Sequence, residues 1–115
     1  MKGNIKTNIS VADDVIPVIA GISATSVEGV YSLSNNITSK ALGFIPSNKL
    51  KNGIIILKDK DGNNLDISIN IVLKDGYDIR EVCEKIQEKV KESIESMLDL
   101  KVKNVAVRVA QINMV

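Results

Sequence analysis

Three features of the chain predict an α+β fold: a mostly antiparallel sheet of three to five strands with two main helices packed on one face. Leu65, Ile67, Ile69, Ile71 and Leu73 alternate with Asp66, Ser68, Asn70, Val72 and Lys74, which is the period of a strand with one wet face. Residues 78–98 repeat apolar side chains at spacings of three and four, the period of a one-sided helix. Asp61-Gly62 with Asn63 and Asn64 is turn chemistry between two β-rich runs, and predicts a hairpin. The chain has 115 residues, the size of one domain over 1–115, and is 44% hydrophobic and 25% charged, an ordinary globular balance. Aromatic residues are only 3%, so the core must be built from Ile, Val and Leu.

In chain order, Ile5 to Ile9 is a candidate short strand, and residues 10–24 read as the first helix. Ser10 and Asp13 resemble a capping box, and Asp13 and Asp14 suit the positive end of the helix dipole. Val11, Val15, Ile19 and Ile22 fall near one side, with Ile16 widening the stripe. Pro17 leaves two readings, because in a helix interior it would cost about 3 kcal/mol. Either the helix kinks there, or it starts near Pro17. Val27 to Leu33 reads as a strand in which Gly29 marks a bulge or a close backbone approach. Residues 34–52 are expected to be irregular, with Asn36 capping a short helix through Ile37, Ala41 and Leu42 that Gly43 stops.

Gly53 to Lys58 follows as a strand dense enough in Ile to be buried on both sides, then the hairpin turn, then the alternating strand closed by Asp75-Gly76. Asp78 and Glu81 cap the second helix, whose stripe is Ile79, Val82, Cys83, Ile86, Val90, Ile94, Met97 and Leu98. Its other side pairs Glu81 with Lys85 and Lys91 with Glu95 at i,i+4. The last strand covers about Val102 to Ile112, with a bulge near Lys103-Asn104 because Val102 is out of phase with Val105, Val107 and Val109.

The search for chemistry turns on an absence. There is no histidine, which removes the usual general base, the commonest metal ligand and every Ser-His or Cys-His relay. Cys83 is the one cysteine, so no intramolecular disulfide forms; its place on the apolar stripe makes it a core thiol rather than a reactive one. Asp59, Asp61, Gly62 and Asn63 suggest a calcium loop, but the EF-hand spacing would require Leu57 and Ser68 as ligands. No phosphate-cradling glycine loop is present. Asp13, Asp14 and Glu28 are assigned to capping and surface roles. No catalytic, cofactor-binding or metal-ligating residue is therefore assigned, and no cofactor or small-molecule ligand is expected.

Net charge is +1, and Arg80 and Arg108 are the only arginines, which argues against a dedicated nucleic-acid binder. The N-terminal residues lack a signal-peptide apolar run, and no apolar stretch reaches the roughly 18–20 residues that span a bilayer. A cytoplasmic protein is expected.

The ordered set of segments along the chain resembles the alkaline shock protein and general stress protein family of Gram-positive bacteria. Carrying the resemblance are Ile9, Val15-Ile16 and Ile19-Ala20-Gly21; Val27-Glu28-Gly29-Val30; Asn52-Gly53-Ile54; Asp78-Ile79; Ile86-Gln87-Glu88-Lys89-Val90; and Val102, Val105, Val107 and Val109. The resemblance implies a non-enzymatic cell-envelope stress response protein that forms homo-oligomers and is held near the inner face of the membrane by an integral membrane partner. It supplies no catalytic residues. The chain departs from it at Pro17, and it stops at Val115 without the charged tail of some relatives, so contacts through such a tail are not expected.

The leading reading from the residues is thus an interaction module that works through sheet edges and helix faces, with the first or last strand as an edge. The alternative is a small RNA-binding module of similar architecture, with Lys40, Lys49, Lys51 and Lys58 as its basic patch. Against that stand the missing strand aromatics and the absence of a G-x-x-G loop. An enzyme working through Lys or carboxylates is a third class, with no motif in its favour.

Overall fold

A computed structural model describes residues 15–34, 50–51, 53–60 and 64–114. In chain order these form α1 (Val15–Thr25), β1 (Val30–Leu33), β2 (Leu50–Lys51), β3 (Ile54–Lys58), β4 (Asn64–Lys74), α2 (Ile79–Leu98) and β5 (Lys101–Asn113). The fold is α+β, with five described strands in one sheet.

β4 organises the sheet because both of its edges are occupied. β3 pairs antiparallel with its first half, Lys58 opposite Leu65 and Ile54 opposite Ile69. β1 pairs antiparallel with its second half, Leu33 opposite Ile71 and Val30 opposite Leu73. These two strands share one edge of β4 end to end, and β2 adds outside β3. β5 takes the whole of the other edge and runs parallel to β4, from Asn64 opposite Lys101 to Lys74 opposite Asn113. Parallel neighbours need a crossover, and the twenty-residue α2 provides it. Three pairings are antiparallel and one, the longest, is parallel.

The expected alternation along β4 holds. Leu65, Ile67, Ile69, Ile71 and Leu73 are all essentially inaccessible and meet Ile54, Ile56, Val30, Val102 and Val105 from neighbouring strands. Val82, Ile86, Val90 and Ile94 of α2 close this layer from above, together with Ile16, Ala20 and Ala24 of α1. Burying each such Val, Ile or Leu contributes roughly 1.5–3 kcal/mol. Asp78 caps α2 as expected, its carboxylate accepting from the Glu81 amide at 3.1 Å. The register slips between Val102 and Asn104, where the bulge near Lys103-Asn104 was expected, and again between Val109 and Gln111, where it was not.

Several expectations are corrected. Val15 and Ile22 do not lie in the core stripe of α1: both are exposed, and Ile19 is half-buried. The buried residues are Ile16, Pro17, Ala20, Gly21, Ser23 and Ala24. The helix is apolar around most of its girth, so close approach by its small residues, not hydrophobic periodicity, decides which side is buried. Pro17 is buried within the described part of α1, and the segment before Val15, on which the two readings of Pro17 turn, lies outside the described residues. On α2, Ile79 and Met97 are exposed and Cys83 is half-buried, because the stripe narrows to one residue per turn against the sheet.

The strand expected from Val27 starts only at Val30; residues 26–29 make a turn in which Gly29 has φ of 102°. Its register irregularity falls at Tyr31, between Val30 and Ser32. Leu50–Lys51, placed in an irregular stretch, pairs with β3. Ile55 is buried on the side of β3 away from the helices, but Leu57 is exposed, so burial on both sides of β3 holds only in part. The expected strand at Ile5 to Ile9, the Ser10 cap with Asp13 and Asp14, the short helix from Asn36, and the Asp61–Asn63 turn lie outside the described residues.

Candidate interaction surfaces

Three surfaces combine exposure with unusual chemistry. The first is the outer side of α1. This helix, Val15 to Thr25, contains no charged residue, and Val15, Val18 and Ile22 are 38%, 57% and 65% exposed. Beside this ridge runs a groove of about 270 Å³ lined by Pro17, Val18, Gly21, Ile22, Thr25, Leu33 and Ile54. The Thr25 hydroxyl donates to the Gly21 carbonyl at 2.8 Å and so offers little polarity to the groove. A contiguous apolar ridge and groove on a small protein marks a contact site more often than a solvated surface.

The second surface is charged. The turn before β1 leaves Glu28 at the mouth of a cleft of about 320 Å³, lined also by Val27 and by Lys85, Glu88, Lys89 and Glu92 of α2. Gly29 is required here: a Cβ would lie 2.9 Å from both the Tyr77 ring and the Val82 methyl, in a left-handed conformation. Lys85 pairs with Glu81 at 3.2 Å as expected. The Tyr77 hydroxyl donates to Glu28 Oε2 at 3.1 Å. That bond, and then the carboxylate's negative charge, hold the phenol above its ordinary value of 10.0. The folded state thus prefers neutral Tyr77. This preference is complete below the unfolded phenol's pKa and is lost as pH rises through the folded one. In a Tyr31→Phe background, where Tyr77 is the one phenol, an ultraviolet titration should show its midpoint falling back toward the ordinary value on Glu28→Gln. An unmoved midpoint would refute the Glu28 assignment.

The third surface is the outer edge of β5. Two side chains of α2 reach over it: Gln87 Nε2 donates to the Val105 carbonyl at 2.9 Å, and Glu95 Oε2 accepts from the Val102 amide at 2.9 Å. Glu95 is therefore not the partner of Lys91 that the i,i+4 spacing suggests. On the sheet side away from the helices, Arg108 donates to Asn70 Oδ1 at 3.3 Å. Asn70, itself buried, donates through Nδ2 to the Gly53 carbonyl at 3.1 Å.

Of the residues weighed for chemistry, Asp13 and Asp14 lie outside the described region, and Glu28 is the hydrogen-bonded surface carboxylate just described. Cys83 is half-buried, and burial pushes its thiol up, away from the thiolate that reactivity needs. Among the described residues no cluster of three or more His, Cys, Asp or Glu is placed to hold a metal. Of Lys40, Lys49, Lys51 and Lys58, only the surroundings of Lys58 are described, at the exposed end of β3. Sequence reasoning missed Asn70, Tyr77 and Gln87. The amide among the wet-side residues of the alternating strand was the one visible signal, and it pointed only to Asn70.

Comparison with known proteins places these surfaces in context. The chain is 31% identical over 109 residues to an uncharacterized protein of Streptococcus pyogenes, covering 93% of this chain and 88% of that one. It is 27% identical over 105 residues to the uncharacterized protein YqhY of Bacillus subtilis, covering 90% and 76%. Among solved structures it is similar to a variant of MamM-CTD, with a TM-score of 0.52 and 12% identity over 87% of this chain and 98% of that one. At that identity the likeness concerns the fold alone. The model of one family matches residues 1–114, and the chain accordingly belongs to the alkaline shock protein 23 family, described as having a cell envelope-related function.

Proposed function

We propose that this protein is a non-enzymatic interaction module of the cell envelope that assembles with further copies of itself through the outer side of α1. The observation that carries the reading is the uncharged helix with Val15, Val18 and Ile22 turned outward beside an apolar groove. A ridge and a groove on the same patch suit a two-fold contact, in which each copy offers what the other receives. The strongly charged outer side of α2 stays in solvent in such an assembly. No helix among the described residues is long and apolar enough to cross a membrane. The family's cell envelope-related function supports placement at the envelope, and in this reading an integral membrane partner holds the chain there.

Light scattering during size-exclusion chromatography, over micromolar to millimolar protein, tests the self-assembly. The unmodified chain should grow in mass with concentration. Ile22→Glu should weaken association by about 100-fold or more, because it buries an unpaired carboxylate in the contact. Its melting temperature should hardly change, since Ile22 is 65% exposed. Glu88→Lys, on the charged side of α2, should leave the mass unchanged. A strict monomer at every concentration would overturn the reading.

A further inference from the structure

We propose that the outer edge of β5 between Ala106 and Ile112 takes up an extended acidic segment of another protein as an additional strand. Among the described residues β5 pairs with β4 alone, so its far side is an edge of the described sheet. α2 protects that edge only in part. Gln87 and Glu95 satisfy the outward main-chain groups of Val105 and Val102. One helical turn before Gln87, on the same side of α2, the residue is Cys83, whose short thiol makes no such bond. The cap therefore ends at Val105.

Beyond it, strand alternation turns the main-chain groups of Val107 and Val109 the same way as those of Val105. The open stretch holds none of the usual guards of an edge, such as proline or a run of charges. Val107 and Val109 are half-buried, and Ile112 and Met114 are 38% and 71% exposed, which offers aliphatic contact to an arriving strand.

Charge selects the occupant. β5 carries Lys101, Lys103 and Arg108 and no carboxylate. Arg108 is exposed, and one nitrogen of its guanidinium is anchored on Asn70, which fixes the group over the sheet with the rest of its donor fork available. A Glu or Asp opposite Arg108 would meet that fork. A second copy of β5, pairing antiparallel about the middle of the open stretch, would instead set Arg108 beside its own counterpart. The edge thus suits a partner segment that alternates acidic and aliphatic residues, bound by main-chain hydrogen bonds. This surface is separate from the outer side of α1, and the proposal does not depend on self-assembly.

The test uses fluorescein-labelled heptapeptides and the full chain at low salt. Thr-Val-Glu-Val-Glu-Val-Thr should bind at least about 10-fold tighter than Thr-Val-Lys-Val-Lys-Val-Thr, by fluorescence anisotropy. It should slow amide exchange at Val107 and Val109, read by nuclear magnetic resonance, and a version with a central proline should not bind. Arg108→Glu, a change at an exposed site, should reverse the preference between the two peptides. Equal affinities, no binding of either peptide, or protection confined to α1 or α2 would each overturn the proposal.

Discussion

Gly53→Ala is expected to cost about 3 kcal/mol or more, a large share of the stability of a small domain. Gly53 has φ of 86°, where an L side chain alone costs roughly 1–2 kcal/mol. A Cβ there would also overlap the Ser34 carbonyl oxygen. The backbone has no easy retreat. The Gly53 carbonyl accepts from the Asn70 amide at 3.0 Å and from its side chain at 3.1 Å. The Ser34 amide, in turn, donates to the Asn70 carbonyl at 2.8 Å. Moving Gly53 away from Ser34 would strain the junction where β1, β3 and β4 meet. Gly76 is the built-in comparison: its φ is 93°, but nothing lies within 4 Å of its Cβ position. Gly76→Ala should therefore lose only the conformational part, about 1–2 kcal/mol. Urea denaturation of both variants checks this, and equal losses would refute the steric argument.

Ile69→Ala should be comparably severe, at roughly 3–4 kcal/mol. Ile69 is wholly inaccessible in the middle of β4, with Ile54 opposite it on β3 and Val107 opposite it on β5. The strands on both sides are fixed by main-chain bonds, so the layer cannot collapse into the void, and the cavity term adds to the lost transfer energy. Leu57→Ala, at the exposed end of β3, should cost under about 1 kcal/mol. The urea midpoint should fall for Ile69→Ala while the slope stays constant. A midpoint drop no larger than that of Leu57→Ala would show that β4 is not the centre of the core.

The parts of this fold legible in the sequence are those where local and tertiary preferences agree. β4 alternates strictly because one side meets helices and the other does not, and α2 shows its stripe against a charged remainder. Asp78 announces the start of α2, and the phase break at Val102 announces a bulge. Where contrast is missing, the reading fails. α1 has aliphatic or small residues on nearly every side, so periodicity could not tell the buried Ala20 and Ala24 from the exposed Val18 and Ile22. The proposed contact surface on α1 was hidden by the same lack of contrast. Glu95 shows a different failure. An exposed i,i+4 pair with Lys91 contributes about 0.3–0.5 kcal/mol, whereas a charge-assisted bond to the Val102 amide satisfies a partly buried edge donor. The stronger interaction connects residues on different elements, and no spacing rule within a helix foretells it. Likewise β2 exists only because β3 is there to pair with it.

The double occupancy of β4 also bears on the order in which the chain can assemble. Its first half meets β3 across a short hairpin, with Lys58 opposite Leu65, and its whole length meets β5 across a single helix. Only the hairpin closure brings together segments near in sequence, and it carries little loop entropy. β1 and β5 stand alike: Leu33 finds Ile71, and Lys101 finds Asn64, over almost the same length of chain, with α1 arriving beside the first and α2 bridging the second. The β3–β4 hairpin is thus the pairing that can form first, since local contacts repay their closure cost earliest. The uncharged outer side of α1 comes with one of the two long closures, so it enters the native structure after that hairpin is in place.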